Sequence, residues 1–512
     1  MKRPSVKVLL SAAVILCILS TAGLIALIVV WQQKLSPFQD YALVVDAGST
    51  HSKIFLYTWP ADKSNGLGVT SRVTQIKSCS PGGGAITSIT DPTEDNVKKY
   101  FNTAMIDCMD SIPSNRKGRA LVFLGGTAGL RLFEMKNASY TNTLLNSTRV
   151  YFDTLGLLFK APENQVRIIG GSEEGLSGWI STNMLLEELY KNNIPSQTYG
   201  VTDMGGASTQ ISFYSPNATN ERYDMSLFNT EYDIYSHSYL CYGAEQFRYV
   251  YLGRIINKAG GSETIYDPCF QDGFFQNFSY SDIFTLPCVQ ARSPPSPELN
   301  ASSTFSIIGT GNYSQCLANV QQCLNTSKCS FTSCSFDNVY QPKPIEPSLK
   351  FIAISAWYST FNSLAQNVTV SPNKDGNYDF NTTKLSDIKR AIEGICKQPW
   401  DFVPNPDKYR SLLCFNSMYH WTLMEYGYGM NDDNMKNFHI IKTIGGSEIG
   451  WTLGYMINQT NYLEPEYRPA RLLTKGEFGG LLVLCLFFLL VSIIMGIASI
   501  YFCNRHRNYR QT

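Results

Sequence analysis

Residues 46–57 read DAGSTHSKIFLY and residues 203–214 read DMGGASTQISFY, and the two segments align without a gap. An apolar stretch precedes each one, ALVV before Asp46 and YGVT before Asp203. An alternating stretch of β-branched and aromatic residues follows. Each therefore reads as strand, tight glycine turn, strand: a β-hairpin with a carboxylate at the end of its first strand. One Asp-x-Gly is common, but two copies about 157 residues apart predict two lobes built on one plan. A second echo pairs RIIGGSEEG (167–175) with KTIGGSEIG (442–450), and here Glu174 stands opposite Ile449. A position kept for packing alone could be apolar in both copies. A carboxylate in only one points to chemistry, against the plainer reading of a surface glutamate. A third glycine-rich piece, FLGGTAGLR (123–131), carries an apolar strand into a helix-compatible stretch. Backbone N–H groups at such a turn attract anions. GxxxxGK[ST] does not occur, so this is not a Walker loop.

Two glycine hairpins facing each other across a cleft form a phosphate clamp, because glycine lets backbone N–H groups approach phosphate oxygens closely. Ser49, Thr50, Ser208 and Thr209 can add hydroxyl donors. Asp46 and Asp203 would repel phosphate unless a cation lay between them, which implies Ca²⁺ or Mg²⁺, hard ions that take oxygen ligands and keep waters. The five histidines and the absence of HExxH leave little for a histidine-rich zinc site.

The ends of the chain set its compartment. Residues 8–31 carry no charge and follow Lys2, Arg3 and Lys7. At 1.5 Å per residue that run spans the ~30 Å of a hydrocarbon core. It is longer than a signal-peptide core, so an uncleaved anchor is favoured over a removed signal. A second apolar run, 478–503, precedes Arg505, His506, Arg507 and Arg510. The basic tail favours a stop-transfer helix over a removed lipid-anchor signal. Both basic tails are then cytoplasmic, and the segment between is translocated. That segment holds ten N-x-S/T sequons, at Asn137, Asn146, Asn217, Asn277, Asn300, Asn312, Asn325, Asn367, Asn381 and Asn458. Of 14 cysteines, Cys17, Cys485 and Cys503 lie in or beside the membrane runs. The other eleven are spread singly, as disulfides would be, and their odd number leaves one thiol unpaired or bridging to another chain.

With 42 basic and 41 acidic residues the net charge is +1, and no basic stripe appears, so no nucleic-acid partner is expected. Residues 94–112, 139–156, 178–191 and 349–366 have helical patterns, and 290–345 looks loop-rich with four cysteines and three sequons. Strands alternating with helices predict α/β lobes.

DAGST, GTAGLR, GSEEGLSGW, DMGGASTQ and GGSEIGWTLGY resemble, in order, the five apyrase-conserved regions of the ecto-nucleoside triphosphate diphosphohydrolases. The resemblance spans the whole middle of the chain. It implies two RNase-H-like lobes of the actin, Hsp70 and sugar-kinase superfamily. It also implies hydrolysis of extracellular ATP, ADP, UTP and UDP to monophosphate and phosphate, with Ca²⁺ or Mg²⁺, at a plasma membrane spanned twice. Glu174 matches the base acting on the attacking water, and Ser208 the residue that helps hold that water. Asp46 and Asp203 match the aspartates anchoring the metal, largely through its waters, and Gln210 the glutamine beside them. Ser49, Thr50, His51, Thr127, Gly205, Gly206 and Ala207 match phosphate-binding positions, with His51 a rival for the role of base. Tyr358 and Tyr409 match the side chains that sandwich the nucleobase. Relatives often carry two aromatics at the fourth and fifth places of SAWYSTF, where this chain has Tyr358 and Ser359. The resemblance further implies the disulfides Cys79–Cys108, Cys241–Cys288, Cys269–Cys316, Cys329–Cys334 and Cys396–Cys414. Cys323 is then the odd thiol, inert or linking two chains.

The expected organisation is a tail (1–7), a membrane helix (8–31) and lobe I (32–165, completed by 440–465). Lobe II (166–439), a linker (466–477), a membrane helix (478–503) and a tail (504–512) follow. Homo-oligomers through the membrane helices are possible. The competing reading is a silent nucleotide-binding receptor or adhesion glycoprotein, which loss of Glu174, Ser208 or either aspartate would favour; all are present. A kinase of the same superfamily would need cytosolic ATP.

Overall fold

The computed structural model describes residues 6–63, 69–192, 194–365, 371–374, 376–379, 384–402 and 410–509. Tyr409, Asn367 and Asn381 lie outside these residues. The chain divides into two units, and the smaller comprises residues 1–38, 60–62 and 465–512. Its helices Val6–Gln32 and Lys475–Tyr509 are long and apolar enough to cross a membrane. They pack together through small side chains: Ala13, Ser20, Ser492 and Ser499 are buried. Trp31 stacks on Phe478 at 4.2 Å, and Arg471 lies 4.2 Å from the Trp31 ring.

The larger unit holds two sheets that repeat one plan. The first comprises β1 (Gln39–Ala47), β2 (Ser52–Pro60), β3 (Thr74–Cys79), β4 (Leu121–Gly126) and β5 (Val166–Ile168), in the order β3-β2-β1-β4-β5. β6 (Gly200–Met204) and β7 (Ser208–Tyr214) begin the second, followed by β8 (Arg222–Leu227) and β9 (Thr230–Leu240). A small sheet of β10 (Thr264–Asp267), β11 (Phe275–Ser279) and β12 (Thr304–Gly309) comes next in the chain. β13 (Phe351–Ser355), β14 (Tyr378–Asp379) and β15 (Phe438–Ile440) complete the second sheet, whose order is β14-β15-β13-β6-β7-β9-β8. Its central part, β9-β7-β6-β13-β15, matches the first sheet strand for strand. β1, β4 and β5 run parallel, as do β6, β13 and β15.

The strand period explains the layering. In β1, Ala42 and Val44 face a core between the sheets, while Leu43 and Val45 face an outer core of the first lobe. All four are fully buried, which is why the run ALVV is apolar throughout rather than alternating. The middle core also takes Trp179, Ile352, Ile354 and Trp451. Two helices cross in it, Gly171–Leu185 and Trp451–Gln459. At their crossing a Cβ on Gly454 would lie 1.9 Å from the Ser177 carbonyl oxygen. Ser181 Oγ accepts from Gly454 N at 2.7 Å and donates to the Gly450 carbonyl.

Three sequence expectations change. Residues 349–366 are not one helix: FIAIS forms β13, buried between β6 and β15, and the helix is Ala356–Leu364. A short apolar run fits a buried strand or a helix equally well by pattern. The helix expected at 178–191 runs from Gly171 to Leu185 and stops before Glu187, whose φ is 66°. The stretch 290–345 contains β12 and the helix Tyr313–Leu324, which Asn312 caps by accepting from Gln315 N at 3.1 Å. Helix Glu94–Met109 forms within the expected 94–112, and Ala138–Asp153 begins one residue before the expected 139–156; Thr93 and Asn137 cap them.

The structure closes Cys79–Cys108, Cys241–Cys288, Cys269–Cys316, Cys329–Cys334 and Cys396–Cys414. Cys323 is free and buried, and burial pushes its thiol up to about 11, which disfavours the reactive thiolate. Asn137, Asn146, Asn217, Asn277, Asn300 and Asn312 are exposed, whereas Asn325 and Asn458 are half-buried.

The helix crossing yields a paired prediction. Gly454→Ala drives a methyl into backbone and should destabilise by about 1–3 kcal/mol. Gly178→Ala meets open space and should be near neutral. Thermal unfolding of the two variants checks the contrast.

Candidate active site

Both hairpins carry the aspartate as the last residue but one of the first strand and close the turn alike. Gly48 N donates to the His51 carbonyl at 3.1 Å, and Gly205 N donates to the Ser208 carbonyl at 2.9 Å. Asp46 sits level with Gly125 on β4, and Asp203 level with Ile354 on β13. The turns approach closely enough that a Cβ on Gly206 would lie 2.8 Å from Ser49 Oγ.

The second turn has fixed polarity. The carbonyls of Gly205, Gly206 and Ala207 accept from Ala244 N, from Glu245 N and Gln246 N, and from Cys241 N. In a trans peptide the following N–H points the opposite way. The N–H groups of Gly206 and Ala207 are thus turned from the helix Ala244–Lys258, and that of Ser208 from Cys241, the polarity that an anion-binding turn uses. Gly243 makes this seating possible, since a Cβ there would lie 2.3 Å from Ala207 N. In the first lobe Thr127 N donates to the Ala47 carbonyl at 3.2 Å and opens the helix Ala128–Lys136. A Cβ on Gly129 of that helix would meet Ser49 Cα at 2.5 Å.

A cavity of about 590 Å³ lies between the lobes. It gathers Asp46, Ser49, Thr50, His51, Thr127, Glu174, Asp203, Gly205 and Gly206. Ala207, Ser208 and Gln210 are buried behind its wall rather than lining it. There Gln210 Nε2 donates to Ser208 Oγ at 2.7 Å and Ser238 Oγ at 3.0 Å. Those bonds leave the serine hydroxyl hydrogen free to donate. Thr50 Oγ1 lies 3.0 Å from His51 Nδ1. Tyr358 does not line the cavity; Lys442 Nζ lies 5.8 Å from its ring, and the next residue, Ser359, lines the cavity instead. Arg248, Lys53 and Glu448 also line it.

Electrostatics single out three carboxylates. Burial pushes Glu174 up to about 8; its ion pair with Arg131 opposes this, while Asp203 and Asp46 add to it. Burial likewise lifts Asp46 to about 6, which the Trp451 side chain offsets and Asp203 reinforces. Asp203 is raised by burial and eased by Ser355. The Oδ1 atoms of Asp46 and Asp203 are buried without a hydrogen-bond partner. Two orphaned, mutually repelling carboxylates fit a hard divalent cation that completes its shell with water. Among the described residues no group of three His, Cys, Asp or Glu side chains is arranged to hold a metal ion. Arg131, which pairs with Glu174, was not foreseen in the sequence. It lies in GTAGLR, but its partner is 43 residues away.

The GDA1/CD39 (nucleoside phosphatase) family matches residues 33–469. Ectonucleoside triphosphate diphosphohydrolase 1 of Bos taurus is 32% identical over 504 residues, covering 94% of this chain and 93% of the relative. Ectonucleoside triphosphate diphosphohydrolase 3 of Homo sapiens is 30% identical over 522 residues, covering 98% and 93%. In fold, the chain is similar to the crystal structure of nucleoside triphosphate hydrolases from Neospora caninum. The TM-score is 0.61 at 16% identity, over 83% of this chain and 93% of that one.

These shifts fix a pH dependence. A carboxyl whose folded pKa exceeds its unfolded value contributes stability that is whole below the unfolded pKa and lost as pH rises through the folded one. The windows run from 3.8 to about 6 for Asp46 and from 4.5 to about 8 for Glu174. In EDTA, the melting temperature should fall between about pH 5 and 8, and Glu174→Gln should flatten the fall above about pH 6. A wild-type midpoint flat across that range would contradict the assignment.

Proposed function

Because the chain belongs to the GDA1/CD39 (nucleoside phosphatase) family, we propose that it is a nucleoside triphosphate diphosphohydrolase of the cell surface. It removes terminal phosphate from ATP, ADP, UTP and UDP outside the cell, leaving monophosphate and ending nucleotide signals. The observation that carries this reading is the cavity in which both phosphate-loop hairpins meet Glu174.

Phosphoryl transfer needs positioning and charge neutralisation more than covalent help. The turn N–H groups of Gly206, Ala207 and Ser208, with Ser49, Thr50, His51 and Thr127, hold the phosphates. Ser208, oriented by Gln210, holds the attacking water, and Glu174 takes its proton as the oxygen attacks the terminal phosphorus. The bond to the leaving phosphate oxygen breaks in the same displacement. Arg131 keeps the Glu174 carboxylate aimed and draws its pKa back toward neutrality, where a base contributes about 10²–10⁴-fold. Ca²⁺ or Mg²⁺ between Asp46 and Asp203 would neutralise phosphate charge and let both aspartates face a polyanion. The cavity wall of Ser355, Ser359, Thr360 and Leu412 is assigned to the nucleoside end. The basic residues flanking the two apolar runs support an orientation with both termini in the cytoplasm and the site outside.

Phosphate release from intact cells offered ATP, ADP or AMP tests this. Release is expected from ATP and ADP but not AMP, with loss in EDTA. Glu174→Ala, matched for surface level, should be about 10²–10⁴-fold slower. A well-displayed wild type that binds nucleotide without releasing phosphate would make it a receptor instead.

A further inference from the structure

From His51, the residue before β2, alternate residues line the cavity: His51, Lys53 and Phe55 do, while Ser52 and Ile54 do not. Lys53 thus stands about 7 Å further along the strand from His51. In the aligned hairpin its counterpart is Gln210, a neutral amide. Lys53 Nζ meets Glu448 Oε2 at 2.5 Å, on the hairpin formed by Thr443–Ile444 and Ser447–Glu448.

The two ion pairs at this cavity differ in kind. Arg131 and Glu174 are 16% and 12% exposed, so separating them would strand a charge in a dry site. Lys53 and Glu448 are 21% and 57% exposed, and a pair with one partner so well solvated adds little net stability. The cavity is also short of cations. Asp46, Glu174, Asp203, Glu245 and Glu448 line it, against Lys53 and Arg248. A flexible ammonium on the wall that carries the phosphate loop can therefore exchange one exposed carboxylate for a more densely charged phosphate chain.

We infer that Lys53 is a phosphate-chain contact that Glu448 holds in reserve: the ammonium leaves Glu448 when a polyphosphate enters. This rests on the nucleotide-hydrolase reading above and adds to it a residue that sets substrate affinity.

The test uses the full-length protein in membranes, with Lys53→Gln, Lys53→Met, Glu448→Gln and the double variant Lys53→Gln/Glu448→Gln, matched for display and melting temperature. Lys53→Gln should raise KM for ATP and ADP about tenfold, with the change on KM rather than kcat. Glu448→Gln, which frees the lysine, should lower KM about two- to threefold, and the double variant should follow Lys53→Gln. Inorganic tripolyphosphate, a competitor without a base, should show matching shifts in Ki, locating the contact on the phosphate chain. Lys53→Met keeps the apolar stem near Phe55, where Nζ lies 5.4 Å from the ring, and should behave as Lys53→Gln. If the pair were only a strut, both single variants would break it and shift KM the same way; that result, or an unchanged KM, overturns the inference. If wild type hydrolyses no nucleotide, the functional reading fails. Calorimetric binding of tripolyphosphate with Ca²⁺ then decides Lys53 separately: equal affinity of wild type and Lys53→Gln would overturn it.

Discussion

Three carboxylates taken out of water and aimed at one cavity are the constraint on which the rest of this structure depends. Burying a charge costs far more than burying an amide unless it is paired. Here Arg131 is the guanidinium paired with Glu174, while an oxygen of each aspartate has no partner. Held apart from its ligands, the site relieves itself by keeping protons, which is why Glu174 and Asp46 titrate high. The fold has to supply the stability that such a cluster removes. It does so with large apolar cores on both sides of the cavity and one between the sheets.

Duplication explains how the carboxylates come to face one another. Each lobe contributes one aspartate at the end of the same strand of the same sheet order. The crossing helices Gly171–Leu185 and Trp451–Gln459 fix the lobes at a distance set by backbone contact, with Gly454 against Ser177. The Ser181 hydroxyl, bonded to Gly454 N and the Gly450 carbonyl, ties the crossing further. Trp451 begins one of those helices and also packs its ring where a Cβ on Gly125 would stand, at 2.3 Å. The scaffold and the wall beside Asp46 are thus one piece of packing.

The hairpins were legible in sequence because their determinants are local: a terminal aspartate, a glycine the turn requires, and strand alternation. β13 was not, because FIAIS becomes a strand only between β6 and β15, and nothing in five residues records that burial. Arg131 escaped notice for a similar reason, since its role depends on a carboxylate brought near by another element. The second echo was legible as sequence yet unequal as structure. GG in residues 170–171 opens a helix, with Gly170 at φ −65° as its cap. GG in residues 445–446 forms a hairpin turn with φ values of 56° and 79°. Glycine permits both, so the neighbours decide. Tyr358, expected beside the nucleobase from the family resemblance, is not on the cavity wall, where its neighbour Ser359 stands.

That inequality gives the site its direction. Glu174 stands in the first turn of its helix, where backbone N–H groups favour a carboxylate. Its counterpart Ile449 lies before the second helix and lines the same cavity. A carboxylate at Ile449 would add a further acid to a space already lined by five. An apolar side chain avoids that repulsion and leaves Glu174 the single carboxylate of the echo at this position. The two copies of the echo therefore carry different ion pairs, Glu174 with Arg131 in the first and Glu448 with Lys53 of β2 in the second. A symmetric pair of carboxylate corners would repel the substrate from both sides and favour no direction of attack.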